Sequence, residues 1–147
     1  MRVSQILTRN RSDIVYVDPL ATMRTAIRLM HRHRIGCVLV LQEDDLLVAV
    51  LSERDVVHAF AADTDELLDR PVIDFAHRDS PTAAPDDTVQ AVMAVMTATR
   101  ARHIPIIQFG RVVGIVSIGD IVKSCLNEMI QENAVLQQIA RAQYFAN

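Results

Sequence analysis

The sequence predicts an α+β fold in which one strand-helix-strand-strand-helix unit is written twice and the two copies pack with pseudo-twofold symmetry. Three observations predict it. Pro19-Leu20-Ala21-Thr22-Met23 returns 66 positions later as Pro85-Asp86-Asp87-Thr88-Val89. An amphipathic stretch follows each copy, and then two short apolar runs separated by a polar turn. Ser52-Glu53-Arg54-Asp55 and Ser117-Ile118-Gly119-Asp120 close the two series and open a second helix in each.

The first strand of each unit is placed near Tyr16 and Thr82. The helices that follow start at the N-cap threonines Thr22 and Thr88. Apolar residues then fall at Met23, Ala26, Ile27, Met30 and at Val89, Val92, Met93, Met96, the i, i+3, i+4, i+7 face of a helix. The middle strands are Cys37 to Leu41 and His103 to Ile107, followed by turns over Gln42 to Asp45 and Gln108 to Arg111. The last strands are Leu47 to Leu51 and Val112 to Val116. Upstream, Val3-Ser4-Gln5-Ile6-Leu7 resembles Val72-Ile73-Asp74-Phe75-Ala76. Between the copies, Ala61 to Arg70 carries Asp63, Asp65, Glu66 and Asp69 and reads as an exposed linker. Each short sheet has a face that its own helices do not cover, so the repeats should depend on each other.

From Ile121 to about Ala142 no helix breaker occurs, and Val122, Leu126, Met129, Asn133, Leu136 and Ala140 step by 4, 3, 4, 3, 4. That is a heptad seam with asparagine at an a position. A last helix folding back on its own sheet is the other reading.

Half of the 147 residues are hydrophobic and the formal net charge is -3, which leaves no overall positive field for a nucleic-acid backbone or an acidic membrane. Residues 1–20 carry Arg2, Arg9, Arg11, Asp13 and Asp18 and contain no signal-peptide core. No apolar run approaches the ~18 residues of a membrane helix. Cys37 and Cys125 stand alone in apolar stretches, so a reducing cytoplasm is expected. His31 and His33 are two apart on a helix and share no face, and the other histidines are scattered, so no metal site is expected. No nucleophile-and-base spacing or glycine-rich phosphate loop occurs, so no catalytic residues are expected either.

Ala49-Val50-Leu51-Ser52-Glu53-Arg54-Asp55-Val56-Val57 and Gly114-Ile115-Val116-Ser117-Ile118-Gly119-Asp120-Ile121-Val122 carry a resemblance to the cystathionine-β-synthase (CBS) domain pair, or Bateman module, of the stand-alone type. Arg34 to Val40 and Ala101 to Ile106 resemble that family's middle strand. The resemblance sets the repeats at 3–62 and 72–127, with a C-terminal helical extension over 128–147. It implies a non-enzymatic sensor that binds AMP, ADP, ATP or a related adenosine compound in clefts between the repeats. A homodimer and a separate regulated protein are the implied partners. The alternative is a ligand-free scaffold for dimerisation or docking.

Ser-x-x-Asp at a helix start is a capping arrangement on its own. The resemblance makes Asp55 and Asp120 ribose ligands as well, with Ser52 and Ser117 beside them, and points Arg102 and His103 at phosphate, with Arg54 a third candidate. One cleft should combine Ser52, Arg54 and Asp55 with Thr82, Arg102, His103 and Pro105. The other should combine Ser117 and Asp120 with Tyr16, Gly36, Cys37 and Val38. Ala49 replaces the family's usual glycine, and Tyr16 replaces a small hydroxyl residue, so the second cleft is expected to be partly filled.

Overall fold

A computed structural model describes residues 1–7, 14–62 and 65–146; Arg9, Arg11, Asp13 and Asp63 lie outside them. The element order is α1 (Val3–Ile6), β1 (Tyr16–Val17), α2 (Met23–His33), β2 (Cys37–Gln42), β3 (Leu46–Ser52), α3 (Glu53–Ala61), α4 (Val89–Thr99), β4 (His103–Gln108), β5 (Arg111–Ser117) and α5 (Ile118–Phe145). Thr22 and Thr88 cap α2 and α4 by accepting from the amides of Thr25 and Ala91. Both helices end on an arginine in the left-handed region, Arg34 and Arg100.

In the first repeat β1 runs parallel to β2, and β2 pairs antiparallel with β3. The second repeat keeps only the β4–β5 hairpin as a regular sheet. Its expected first strand reduces to a single parallel bridge, in which the Ala83 amide donates to Pro105 and its carbonyl accepts from Ile107. Proline at 81 and 85, on either side, leaves few donors to extend the ladder. The repeat extends to irregularities, because the register shifts at Val40/Leu41 and again at Ile106/Ile107. The β4–β5 turn has two central residues, Phe109 and Gly110, both with positive φ, as a type I′ turn requires.

β2 is buried on both faces because it separates two cores. Val38 and Val40 join Met23, Ala26, Met30 and Leu51 beneath the helices of the first repeat. Cys37, Leu39 and Leu41 turn the other way, meeting Val50 and Val112 with Ile107 and Ile115 packed against them. This second layer joins the sheets of the two repeats. The second repeat's helical core is built on Val89, Val92, Met96, Ile104, Ile106, Val116 and Ile121.

The upstream echo exchanges partners. Val3, on α1, is buried in the core of the second repeat, where the Val3 and Ser4 amides donate to Asp87 and Pro85. Val72, in a 3₁₀ turn over Val72–Asp74, is buried in the core of the first repeat and donates to Ala21. Each repeat therefore completes the other. The same exchange accounts for Ala49. A Cβ on Gly114 would lie 2.5 Å from Leu7 Cδ2, whereas the residues in register in the other copy are Ala49 and Ala76, a small side chain in each segment.

The linker is not wholly exposed: Leu67 is buried within a 3₁₀ turn over Leu67–Asp69. At the other end, α5 is continuous for 28 residues, about 42 Å, so the extension expected from 128 onward is the same helix that Ser117 caps. Ile121 and Cys125 pack on the second core, but every described residue beyond Cys125 is exposed, so the helix does not fold back on its sheet.

Candidate functional site

A cleft of about 780 Å³ opens between the repeats. Gly36, Cys37 and Val50 of the first repeat line it, with Ser52, Glu53 and Arg54 at the start of α3. From the second repeat come His77 to Pro81, the end of α4 with Met96, Thr97, Thr99 and Arg100, then Ala101, Arg102, His103 and Ile118. The arginines come from four places in the chain, and all four are exposed.

Ser52 and Asp55 make a reciprocal capping box at the start of α3. Asp55 Oδ2 accepts from the Ser52 amide at 2.7 Å and from its hydroxyl at 2.9 Å. Oδ1 pairs with His77 Nε2 at 2.6 Å, so both oxygens of this buried carboxylate are engaged. His77 is placed by backbone bonds in both directions with Val50. At α5 the box is repeated by Ser117 and Asp120. Among the described residues no histidine is paired with Asp120 as His77 is with Asp55; the position matching His77 is Thr8, outside the described residues.

His103 stands close to Gly36, where an added Cβ would lie 3.1 Å from His103 Cε1 and 3.6 Å from Glu53 Cδ. Burial lowers the His103 pKa below its ordinary 6.5; Glu53 and Asp120 act against that shift and Arg102 with it. Burial pushes the Cys37 thiol up to about 12, with Glu53 adding to the effect. Cys37 is therefore a packed, protonated thiol.

Of the residues picked from the sequence, the structure gathers Ser52, Arg54, Cys37, Arg102 and His103 around this one cleft. Asp55 lies beneath it, behind His77. Gly36 and Cys37 had been expected in the opposite cleft; β2 and β4 begin side by side at the repeat interface, which brings both to this one. Val38 is fully buried in the helical core and Pro105 is buried in β4, paired with Ile115. Thr82, Ser117 and Asp120 are not on the wall, and neither is Tyr16, which is 56% exposed on β1. Ser117, Asp120 and Tyr16 are the residues that the sequence assigns to the opposite cleft. His77, Arg78 and Arg100 were missed. The only signal for the first two was the charged run His77-Arg78-Asp79 just ahead of the second repeat's first strand.

The CBS domain profile matches residues 3–62 and 72–127. This chain belongs to the CBS-domain family. Among relatives of the CBS pair, an uncharacterised 17.7 kDa protein of Acidianus ambivalens is 32% identical over 127 residues, 86% of this chain and 74% of the relative. The mitochondrial CBS domain-containing protein CBSX3 of Arabidopsis thaliana is 30% identical over 79% of this chain, which spans 60% of that relative's length. Among solved structures, a CBS-domain protein of Agrobacterium tumefaciens superposes with a TM-score of 0.77 at 32% identity, covering 84% of this chain and 98% of that one. A CBS domain protein of Pyrobaculum aerophilum, solved in complex with AMP, gives 0.73 at 30% identity, covering 82% and 89%. Among the described residues, no helix of this CBS pair is long and apolar enough to cross a membrane.

Proposed function

We propose that this CBS pair is a non-enzymatic cytoplasmic module that binds an adenosine nucleotide (AMP, ADP or ATP) between its repeats and passes the signal to a separate protein. One observation carries the reading: the cleft is lined both by apolar side chains, Cys37, Val50, Met96 and Ile118, and by four arginines, Arg54, Arg78, Arg100 and Arg102. A purine ring needs the first and phosphate the second. The volume falls within the range of about 300–1,000 Å³ typical of ligand pockets. The AMP complex of the Pyrobaculum relative supports the same class of ligand. Within this reading Ser52, Arg54, Arg102 and His103 are ligand contacts, and Asp55 reaches a ribose diol once His77 gives way. Calorimetry with AMP, ATP, GTP and adenosine tests it. Saturable binding of an adenine nucleotide, weakened at least tenfold in Arg102→Ala, is expected. Equal binding of GTP, or no adenine nucleotide bound at millimolar concentration, overturns it.

A second reading, a homodimer joined along α5, is favoured by one feature. Ile118, Val122, Leu126, Met129 and Leu136 are all exposed along one face of that helix, and Asn133 falls on the same seam. Sedimentation of a 16.4 kDa monomer at tens of micromolar would exclude it.

A further inference from the structure

We infer that His77 is a latch on Asp55: its imidazole keeps the carboxylate closed to the cleft, and only a ligand that brings hydroxyl donors opens it. The inference rests on the nucleotide reading and adds an autoinhibitory contact to the same site. Among the described residues Asp55 is the one charged side chain that is buried. A carboxylate out of water needs a donor for each oxygen. Oδ2 takes the Ser52 amide and hydroxyl, both supplied where α3 starts. Oδ1 takes the imidazole of His77, which belongs to the second repeat. Asp120 makes the same box with Ser117, yet it is only half-buried, and no described histidine is paired with it. The imidazole is therefore an addition at this cleft rather than a part of the capping motif.

The backbone and the side chain of His77 are held differently. Its amide donates to the Val50 carbonyl and its carbonyl accepts from the Val50 amide, both at 2.9 Å, so the main chain is fixed to β3. Its side chain lines the cleft and is 58% exposed, against 3% for Asp55. The imidazole can turn into solvent while the chain around it stays in place, and water then replaces the bond it gives up. Asp55 has no such freedom. A buried carboxylate oxygen left without a donor carries the full desolvation cost, so the latch opens only against an incoming donor. Phosphate oxygens are acceptors and bring none, whereas the two vicinal hydroxyls of a ribose do. Opening also breaks the side-chain tie between the start of α3 and the segment that enters the second repeat. Filling of the cleft is thereby coupled to the junction of the repeats.

The experiment is calorimetry of the full chain and of His77→Ala with AMP and with 2′,3′-dideoxyadenosine monophosphate. In parallel, proton NMR of the wild-type chain follows the imidazole Nε2–H of His77, which its bond to Asp55 slows in exchange with water. AMP bound at least about fivefold tighter by the variant, within what one hydrogen bond to a charged group contributes, with the dideoxy compound unchanged, supports the latch. So does loss of the Nε2–H signal on addition of AMP and its survival with the dideoxy compound. AMP bound equally or more weakly by the variant overturns the latch and leaves the nucleotide reading standing. A gain shared by both compounds also overturns it, because the imidazole then only crowds the cleft. An Nε2–H signal that persists in the AMP complex refutes the latch whether or not the variant folds. No binding of either compound to either protein at millimolar concentration overturns the latch and the nucleotide reading together.

Discussion

Val72 is the sharpest test of the exchanged packing, because it lies ten residues beyond the first repeat and is nevertheless 0% exposed in that repeat's core. Val72→Ala removes two buried carbons, worth about 1.6 kcal/mol in transfer free energy at about 0.8 kcal/mol each. A residual void of about 40 Å³ adds about 1 kcal/mol at about 24 cal/mol per Å³. The expected loss is therefore about 2.5 kcal/mol. At roughly 2–4 °C per kcal/mol for a chain of this size, the melting temperature should fall by about 5–10 °C. Val3→Ala, its counterpart in the second core at 1% exposed, should cost a similar amount. The decisive feature is that both substitutions should move one shared transition, since each valine is delivered by one repeat to the other. Calorimetry and far-ultraviolet circular dichroism measure this together. A fragment of residues 1–70, which lacks Val72 and the whole second sheet, should show no cooperative melt. Two resolved transitions with only one displaced, a change below about 1 °C for Val72→Ala, or a cooperative fragment would refute the reasoning.

Gly114→Ala should destabilise by about 1–2 kcal/mol, because its Cβ meets Leu7 at 2.5 Å. Adding Leu7→Ala should recover part of that loss in a double-mutant cycle followed by urea denaturation, and strict additivity would show that the two do not touch. Phe109 is 94% exposed with φ of 51°, so Phe109→Asn should raise stability by about 1 kcal/mol in the same assay, through relief of left-handed strain and a better type I′ turn. Cys37 keeps its proton in the native state to about pH 12 against an ordinary 9.0. The unfolded chain ionises first, so this thiol's contribution is intact below pH 9 and lost as pH rises towards 12. Native protein should therefore alkylate at Cys125 before Cys37 by peptide mass mapping at pH 8.5, and equal rates would contradict the burial.

The repeat was legible because two periodicities, 3.6 for α2 and α4 and short apolar runs for the strands, recur at one spacing with the same caps. Thr22, Thr88, Ser52 and Ser117 each cap the helix that their residue type and position suggested. The second repeat's first strand was over-read, since two prolines within five residues leave it a single bridge. The exchange of Val3 and Val72 was visible only as an echo. Sequence similarity reports that two segments are alike and says nothing about which core each enters.

The site was harder to read than the fold because its walls come from places where the two copies differ. Ser52 and Ser117, Asp55 and Asp120 are matched pairs and do not by themselves tell the two clefts apart. Three of the wall's features have no copy in register: Arg102 stands opposite Gly36, His103 opposite Cys37, and His77 opposite Thr8. His77 alters what Asp55 can do. With Oδ1 held by the imidazole and Oδ2 by Ser52, the carboxylate is already satisfied, so a ribose diol must replace the histidine as hydrogen-bond donor rather than fill an empty site. A ligand in this cleft therefore exchanges one donor for another at Asp55 and gains little there. On the nucleotide reading, the arginines of the cleft, which have no ion-pair partner to give up among the described residues, would supply most of the driving force.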